Sequence, residues 1–338
     1  MRIKDRTFII AEAGVNHNGS VDLALGLVDA AKNSGADAIK FQTFDANSEI
    51  NRDAKKASYQ KINTPHDETL YEMTKTLELN EGDLDKIIDY SKKKGIPFFS
   101  SASDMPSIDL LKNKGQGIWK VASNLINDYP FLKRIGSFNQ QVIVSTGMSY
   151  MEEVSKAMEV LVKNGTKKEK ISLLQCNTEY PSPIKDLNLK VMLTFQNTFG
   201  VNVGLSDHSK SIIIPAVAVA MGASIIEKHL TLDKDLPGPD HKTSLDLNEF
   251  KLMVNHIREI ESALGDGIKK PSDSEKKNIF STRKSIVCTT NIIKGDIITE
   301  DVLSTQRPSS GINPMQWDKI IGTKAKRDFN EGEMLEME

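Results

Sequence analysis

Cysteine is nearly missing from this chain: Cys176 and Cys288 are the only two, far apart in sequence. That argues against a disulfide-stapled secreted protein and for free thiols in a reducing cytoplasm. Cys176 closes an apolar run and reads as a small buried hydrophobe rather than a nucleophile. Long apolar runs are also missing. None approaches the roughly 18 residues that a membrane-spanning helix needs. The opening MRIKDRTFIIAEAG lacks the long apolar region and small-residue cleavage site of a signal peptide, and reads instead as a first strand. Nor does charge of one sign dominate. A formal net charge of −2 gives no sign of a nucleic-acid or membrane-surface protein. What remains is a soluble globular composition, 38% hydrophobic and 27% charged over 338 residues. That length suits a barrel of about 250 residues with an appendage.

Short apolar runs alternate with helical patterns through most of the chain. The strand candidates are 8–14, 38–44, 97–102, 118–123, 141–147, 171–176, 201–207 and 224–230. Between them lie amphipathic stretches. Residues 149–164 put Met151, Val154, Met158 and Leu161 on one stripe, with a Ser149/Glu152 capping box and Gly165 as a stop. Residues 83–94 repeat the pattern with Leu84, Ile87, Ile88 and Ser91, then Gly95. Eight near-continuous apolar strands alternating with helices predict an α/β fold, a closed (β/α)₈ TIM barrel whose site lies at the C-terminal strand ends. Residues 45–82 break the rhythm as a long polar loop, placed to form a lid. The barrel is expected over 1–264. Residues 265–282 read as a Lys-, Ser- and Gly-rich linker, and 283–338 as a small β-rich domain. That domain holds two similar turns, NIIKGDIIT and DFNEGEMLE.

The expected strand ends are polar. They carry Glu12, Lys40, Gln42, Ser100, Ser101, Lys120, Ser123, Ser145, Thr146, Thr178, Tyr180, Asp207, His208 and His229, with Asp240 following. Singly, each is at least as well explained by structure. Two features stand out. His208 and His229 close consecutive apolar runs, so parallel neighbours about 4.8 Å apart would bring both imidazoles to one divalent ion. Two imidazoles are too few for a closed zinc site and suit an open octahedral ion such as Mn²⁺ or Mg²⁺. Lys40 and Lys120 lie inside strands, where a barrel interior offers few partners except an anionic ligand.

At this point the motifs IIAEAGVNHNG, ADAIKFQTF, VSTGM, NTEYPSP, GLSDHS, IIEKHLTLDK, PGPDHKTSL and QRPSSGI resemble, in order and over essentially the whole length, one family. It is that of the bacterial N-acetylneuraminate (sialic acid) synthases and their relatives making legionaminic and pseudaminic acids. The resemblance implies condensation of phosphoenolpyruvate (PEP) with an N-acetylated hexose, dependent on a divalent metal, Mn²⁺ first and Mg²⁺ or Co²⁺ as alternatives. His208 and His229 match the metal ligands. Lys40, Gln42, Lys120, Ser123, Ser145 and Thr178 fall to PEP. Glu12, Tyr180 and Asp240 fall to the sugar, with Glu12 also a base for water. The C-terminal part resembles the family's antifreeze-like (SAF) domain, which crosses to a partner in a swapped homodimer and there supplies an arginine, here Arg307.

Departures surround the ligand site: Ser101-Ala102 and Asn124-Leu125 replace forms seen in relatives, and Thr178 replaces an Asn. The choice of sugar is therefore expected to lie with Leu125, Thr178, Asp240 and the partner's arginine. PGPDH favours the sialic or legionaminic branch, and N-acetylmannosamine is placed ahead of 2,4-diacetamido-2,4,6-trideoxymannose. Two other classes stay open: a Schiff-base aldolase using Lys40 or Lys120, and a non-catalytic sugar- or ice-binding protein built around 283–338.

Overall fold

Short apolar runs bounded by turn residues suit strands buried on both faces. The computed structural model, which describes residues 6–64 and 67–336, forms them where expected. They are β1 (Phe8–Gly14), β2 (Ala38–Thr43), β3 (Phe98–Ala102), β4 (Ile118–Val121), β5 (Gln141–Ser145), β6 (Ile171–Cys176), β7 (Asn202–Asp207) and β8 (Ile225–His229). All pair in parallel in the order β3-β2-β1-β8-β7-β6-β5-β4. β3 and β4 lie side by side, so the sheet closes into a (β/α)₈ barrel. Its outer layer buries the strands' outward residues against the helices, as with Ile9, Ile39, Val142 and Leu173 against Leu27, Leu111, Leu161 and Phe250.

Inside the barrel, alternate residues change character along each strand. Ile10, Ala38, Phe99, Ile143, Leu174 and Ile225 pack into an apolar plug. Two residues further along the same strands stand Glu12, Lys40, Ser101, Ser145, Cys176 and Glu227, which line a cavity. The period of two therefore turns an apolar floor into a polar layer within one step. β7 has Gly204 at the plug level. A Cβ there would lie 2.2 Å from the Ile225 carbonyl oxygen and 2.7 Å from Leu174, so only glycine lets β7 sit this close to β8.

Helix caps follow the sequence with one shift. The helix Glu81–Lys94 starts on Asn80, whose side chain accepts from Asp83 N–H, and ends on left-handed Gly95. The helix Met151–Lys163 starts one residue later than expected. Glu153, not Glu152, accepts the Tyr150 N–H, because Ser149 Oγ is taken up by the Gly147 carbonyl. The stretch 45–82 is not a plain loop. It contains short helices Ala46–Glu49 and Gln60–Asn63, and Leu70–Thr76 under a Thr69/Glu72 capping box.

The chain divides after Gly265 into two compact units, Met1–Gly265 and Asp266–Glu338. In the second, β9 (Ser285–Cys288) pairs antiparallel with β10 (Leu303–Gln306). The two similar turns meet each other. Ile292 of the first bridges Phe329 of the second, and their glycines, Gly295 and Gly332, both have positive φ. Ile286, Cys288, Ile298, Leu303 and Leu335 complete a small core. The supposed linker is not irregular throughout. Residues Asp273–Thr282 form a helix with a Ser272/Glu275 capping box, its last turn tied down by the Ser309 N–H donating to the Phe280 carbonyl at 2.9 Å. The end of the C-terminal domain, 337–338, lies outside the described residues. Among the described residues no helix is long and apolar enough to cross a membrane.

Candidate active site

The polar layer forms the floor of a cavity of about 480 Å³ at the C-terminal ends of the strands. Glu12, Lys40, Gln42, Lys120, Ser123, Ser145, Thr178, Tyr180, His208, His229 and Asp240 all line it. Arg307 belongs to the second unit, where it is exposed just after β10. Register explains part of the convergence. Glu12 of β1 is the partner of Lys40 on one side and of His229 on the other. Asp207 pairs with Lys228, so the next residues, His208 and His229, come level. Their ring centroids lie 5.3 Å apart.

The lysines are not waiting for an outside anion alone. Lys40 Nζ lies 2.7 Å from Glu12 and 3.8 Å from Glu227, and Lys120 Nζ lies 3.4 Å from Glu227. The expectation that the barrel interior offers few partners except an anionic ligand is thus corrected: β1 and β8 each supply a carboxylate. Glu227 was missed by sequence reading. The signal was present, since it is a charge inside an apolar run and sits two residues, one inward step, before His229. Burial tends to raise its carboxyl, but the Lys120 and Lys40 ammoniums outweigh that and hold it below the ordinary range. Glu12 goes the other way. Burial dominates over Lys40, with repulsion from Glu227 added, and its carboxyl is pushed up to about 7. Lys40 is held charged because Glu12 and Glu227 outweigh its burial. For Lys120 burial prevails, so its ammonium is more acidic than usual.

Hydroxyls frame these charges. Lys120 Nζ donates to Ser145 Oγ at 2.7 Å, and Ser123 Oγ accepts the Gly147 N–H at 3.0 Å. A side chain at Gly147 would strike Thr178 at 2.6 Å and Ser123 at 2.9 Å, so the glycine lets this wall close. Leu125 does not face the cavity. It packs in the outer core, and Asn124 lines the wall instead, so the expectation that Leu125 selects the sugar is corrected. Ala102 is likewise a core residue, while its neighbours Ser101 and Ser103 reach the cavity.

The two histidines differ. His208 Nδ1 lies 2.6 Å from the Asn177 carbonyl, which can only accept, so Nδ1 carries the proton. Its Nε2 then accepts from the Tyr180 hydroxyl at 3.0 Å. Tyr180 stacks on His208 at 4.0 Å, and Tyr59 stacks on Tyr180 at 4.8 Å. His229 is buried with Nδ1 lacking any hydrogen-bond partner, 3.8 Å from the Asp240 carboxylate. Burial first, then the nearby lysine charges, keep this ring neutral, and burial raises Asp240 to about 6. No group of three or more His, Cys, Asp or Glu among the described residues is arranged to hold a metal ion. The unpartnered Nδ1 of His229, on a ring level with His208, nonetheless fits a divalent ion completed by outside oxygens.

A closed (β/α)₈ barrel with charged residues and two histidines at its mouth, followed by a small β-rich unit, defines a class of barrel enzyme. Residues 27–269 match the NeuB family and 283–338 the SAF domain. The chain is 46% identical over 330 residues to an N,N'-diacetyllegionaminic acid synthase of Campylobacter jejuni, covering 98% of this chain and 99% of that one. It is 43% identical to a Legionella pneumophila protein of the same name, covering 97% and 93%. Among solved structures, the sialic acid synthetase of Leptospira borgpetersenii superposes with a TM-score of 0.71 at 33% identity, covering 81% of this chain and 90% of that one. The chain belongs to the NeuB family and is a synthase-type enzyme.

Proposed function

We propose that the protein condenses PEP with 2,4-diacetamido-2,4,6-trideoxymannose and water to give N,N'-diacetyllegionaminate and phosphate. Two features support this: the lysine–carboxylate layer beneath a histidine pair in one cavity, and the two relatives named for that product. The similarity reverses the order expected from sequence, so N-acetylmannosamine becomes the second reading. That reading keeps the support of the Leptospira sialic acid synthetase.

The mechanism follows from the residues. Lys120 and Lys40 take the anionic groups of PEP in charge-assisted hydrogen bonds, with Ser123, Ser145, Gln42 and Thr178 fixing their orientation. Glu227 stands between the two ammoniums and offsets their mutual repulsion. His208 and His229 would hold a divalent ion, Mn²⁺ in first place, which when bound supplies Lewis-acid polarisation of the sugar aldehyde. PEP C3 forms the new bond to sugar C1 as the aldehyde C=O π bond opens, and the aldehyde oxygen becomes a hydroxyl by taking up a proton, balanced by the one the added water gives up. Water adds to PEP C2, and the C2–O bond breaks so that phosphate leaves with the bridging oxygen. Glu12, raised to about 7, is matched to accept the proton of that water. Asp240 and Tyr180 flank the aldehyde end. Arg307 of a second copy would reach the sugar's N-acetyl group in a swapped homodimer. Mixing Arg307→Ala with His208→Ala subunits should then restore about a quarter of wild-type sites, since half the random dimers are mixed and each has one intact site. Both cysteines are free, in keeping with a cytoplasmic setting.

The test is a screen of both sugars and N-acetylmannosamine 6-phosphate with PEP, reading phosphate release and product mass. The reading expects preferred turnover of the diacetamido sugar, lost on EDTA treatment and in His208→Ala. Preferred turnover of N-acetylmannosamine would move the protein to the second reading.

A further inference from the structure

The cavity has two chemically unlike ends. One is the charged layer just described. The other is built by residues that follow β1 and β2: Val15, Phe44, Leu70, Met73 and Leu77 form a separate apolar cluster and all line the cavity. One carboxylate stands among them. Glu49 ends the short helix Ala46–Glu49, lines the same wall and is only partly exposed. Its neighbour Asp104 is fully engaged, one oxygen accepting Ser107 N–H as a helix cap and the other accepting Asp45 N–H. Glu49 has the Ser103 hydroxyl, and burial with the Asp104 charge raises its carboxyl to about 7. Ser103 leaves acceptor capacity on the carboxyl, and Lys55 reaches the cavity only as an exposed side chain at the rim.

Placement around the barrel assigns this end a job. Lys40, Gln42, Lys120 and Ser145 mark PEP on the floor, at positions within the strands, and the histidines mark the ends of β7 and β8, while the apolar wall comes from residues beyond the ends of β1 and β2. If PEP and the aldehyde occupy those places, the rest of the sugar falls against the wall after β1 and β2. We propose that this wall reads the C4–C6 end of the sugar: Glu49 accepts the N–H of a 4-acetamido group, and Phe44, Leu70 and Met73 pack against the C6 methyl of a 6-deoxy sugar. The proposal rests on the legionaminic reading and deepens it. A 6-hydroxyl in this wall would lose its water without gaining a partner. An apolar wall rejects an added hydroxyl by no more than about 100-fold, so N-acetylmannosamine should be a poor substrate rather than a dead one.

The experiment compares kcat/KM for 2,4-diacetamido-2,4,6-trideoxymannose and N-acetylmannosamine, with the KM for PEP as control. Glu49→Ala should lower the first roughly 10-fold or more and the second by a smaller factor, because the planar amide fixes the N–H of the 4-acetamido group on Glu49, whereas the C4 hydroxyl of N-acetylmannosamine can turn to water. Glu49→Gln, which keeps an acceptor oxygen, should recover part of the loss. Met73→Gln should shift the ratio toward N-acetylmannosamine, whereas Met73→Leu should leave it unchanged. An equal fall for both sugars in Glu49→Ala, or a raised KM for PEP, would overturn the assignment while leaving the reaction intact. Failure of the wild type to turn over the diacetamido sugar would instead overturn the legionaminic reading, and the assignment with it.

Discussion

Consecutive residues of β8 face opposite sides of the barrel wall, and the buried charges on the two sides are finished differently. Outward, Lys228 Nζ donates to Asp207 Oδ2 at 2.7 Å and to the Ser209 carbonyl. Asp207 in turn accepts the Ser209 N–H at 2.9 Å and its hydroxyl at 3.1 Å. That network is closed on itself. Inward, Glu227 sits between Lys40 and Lys120, yet Glu12 Oε2, Glu227 Oε2 and His229 Nδ1 have no hydrogen-bond partner. Buried polar atoms left unpaired are costly, and natural structures avoid them unless something else arrives. The outer pair is scaffold, fastening the segment on which His208 lies. The inner set keeps unpaired atoms of the kind the proposed PEP site would use.

The sharpest way to break this comparison is to remove one lysine from each side. Lys228→Met leaves Asp207 buried without its counter-charge, so it should destabilise the barrel by about 3–5 kcal/mol in urea titrations. Adding Asp207→Leu should recover most of that loss. Lys120→Met should instead lower kcat/KM by roughly 100- to 1,000-fold while leaving the urea midpoint within error or higher, because the inner set is not optimised for stability. Equal destabilisation by both changes would erase the distinction.

His17 tests a third kind of buried polar group, closed on one side only. Its Nδ1 accepts the Gly19 N–H, its Nε2 has no partner, and burial, aided by His241, lowers its pKa to about 4. The unfolded imidazole takes up a proton at about 6.5, before the folded one does. This contribution to stability is therefore complete above pH 6.5 and lost as pH falls toward 4, at most about 3 kcal/mol. Glu12 and Glu49, both raised to about 7, act in the opposite sense, since the folded state holds their protons first. The measurement must therefore be a difference. Wild type minus His17→Gln should lose stability between pH 6.5 and 4, and a flat difference would contradict the assignment. Gly204→Ala should lower the urea midpoint as well: its methyl would meet the Ile225 backbone carbonyl at 2.2 Å, costing about 3 kcal/mol or more and prising β7, which leads into His208, from β8.

Much of this was legible in the chain. Each expected strand formed within two residues of its reading, because apolar runs between turn residues are a local signal. His208 and His229 were found because both end such runs. Glu227 was not, because its role depends on Lys40 and Lys120 arriving from β2 and β4, and a lone glutamate in IIEKH reads as an ordinary alternation. Leu125 was misread for a related reason: a sequence difference close to a ligand residue need not face the ligand. The helix Leu70–Thr76 was hidden inside a polar stretch although Thr69 and Glu72 announce its start.

The open inner set makes its most direct claim in a thermal shift with PEP alone. At about 100 times its dissociation constant, a ligand that binds only the folded state stabilises it by about 2.7 kcal/mol. PEP is predicted to raise the Tm of wild type and of Lys228→Met by similar amounts, and to leave Lys120→Met unmoved. An equal rise in Lys120→Met would contradict the account.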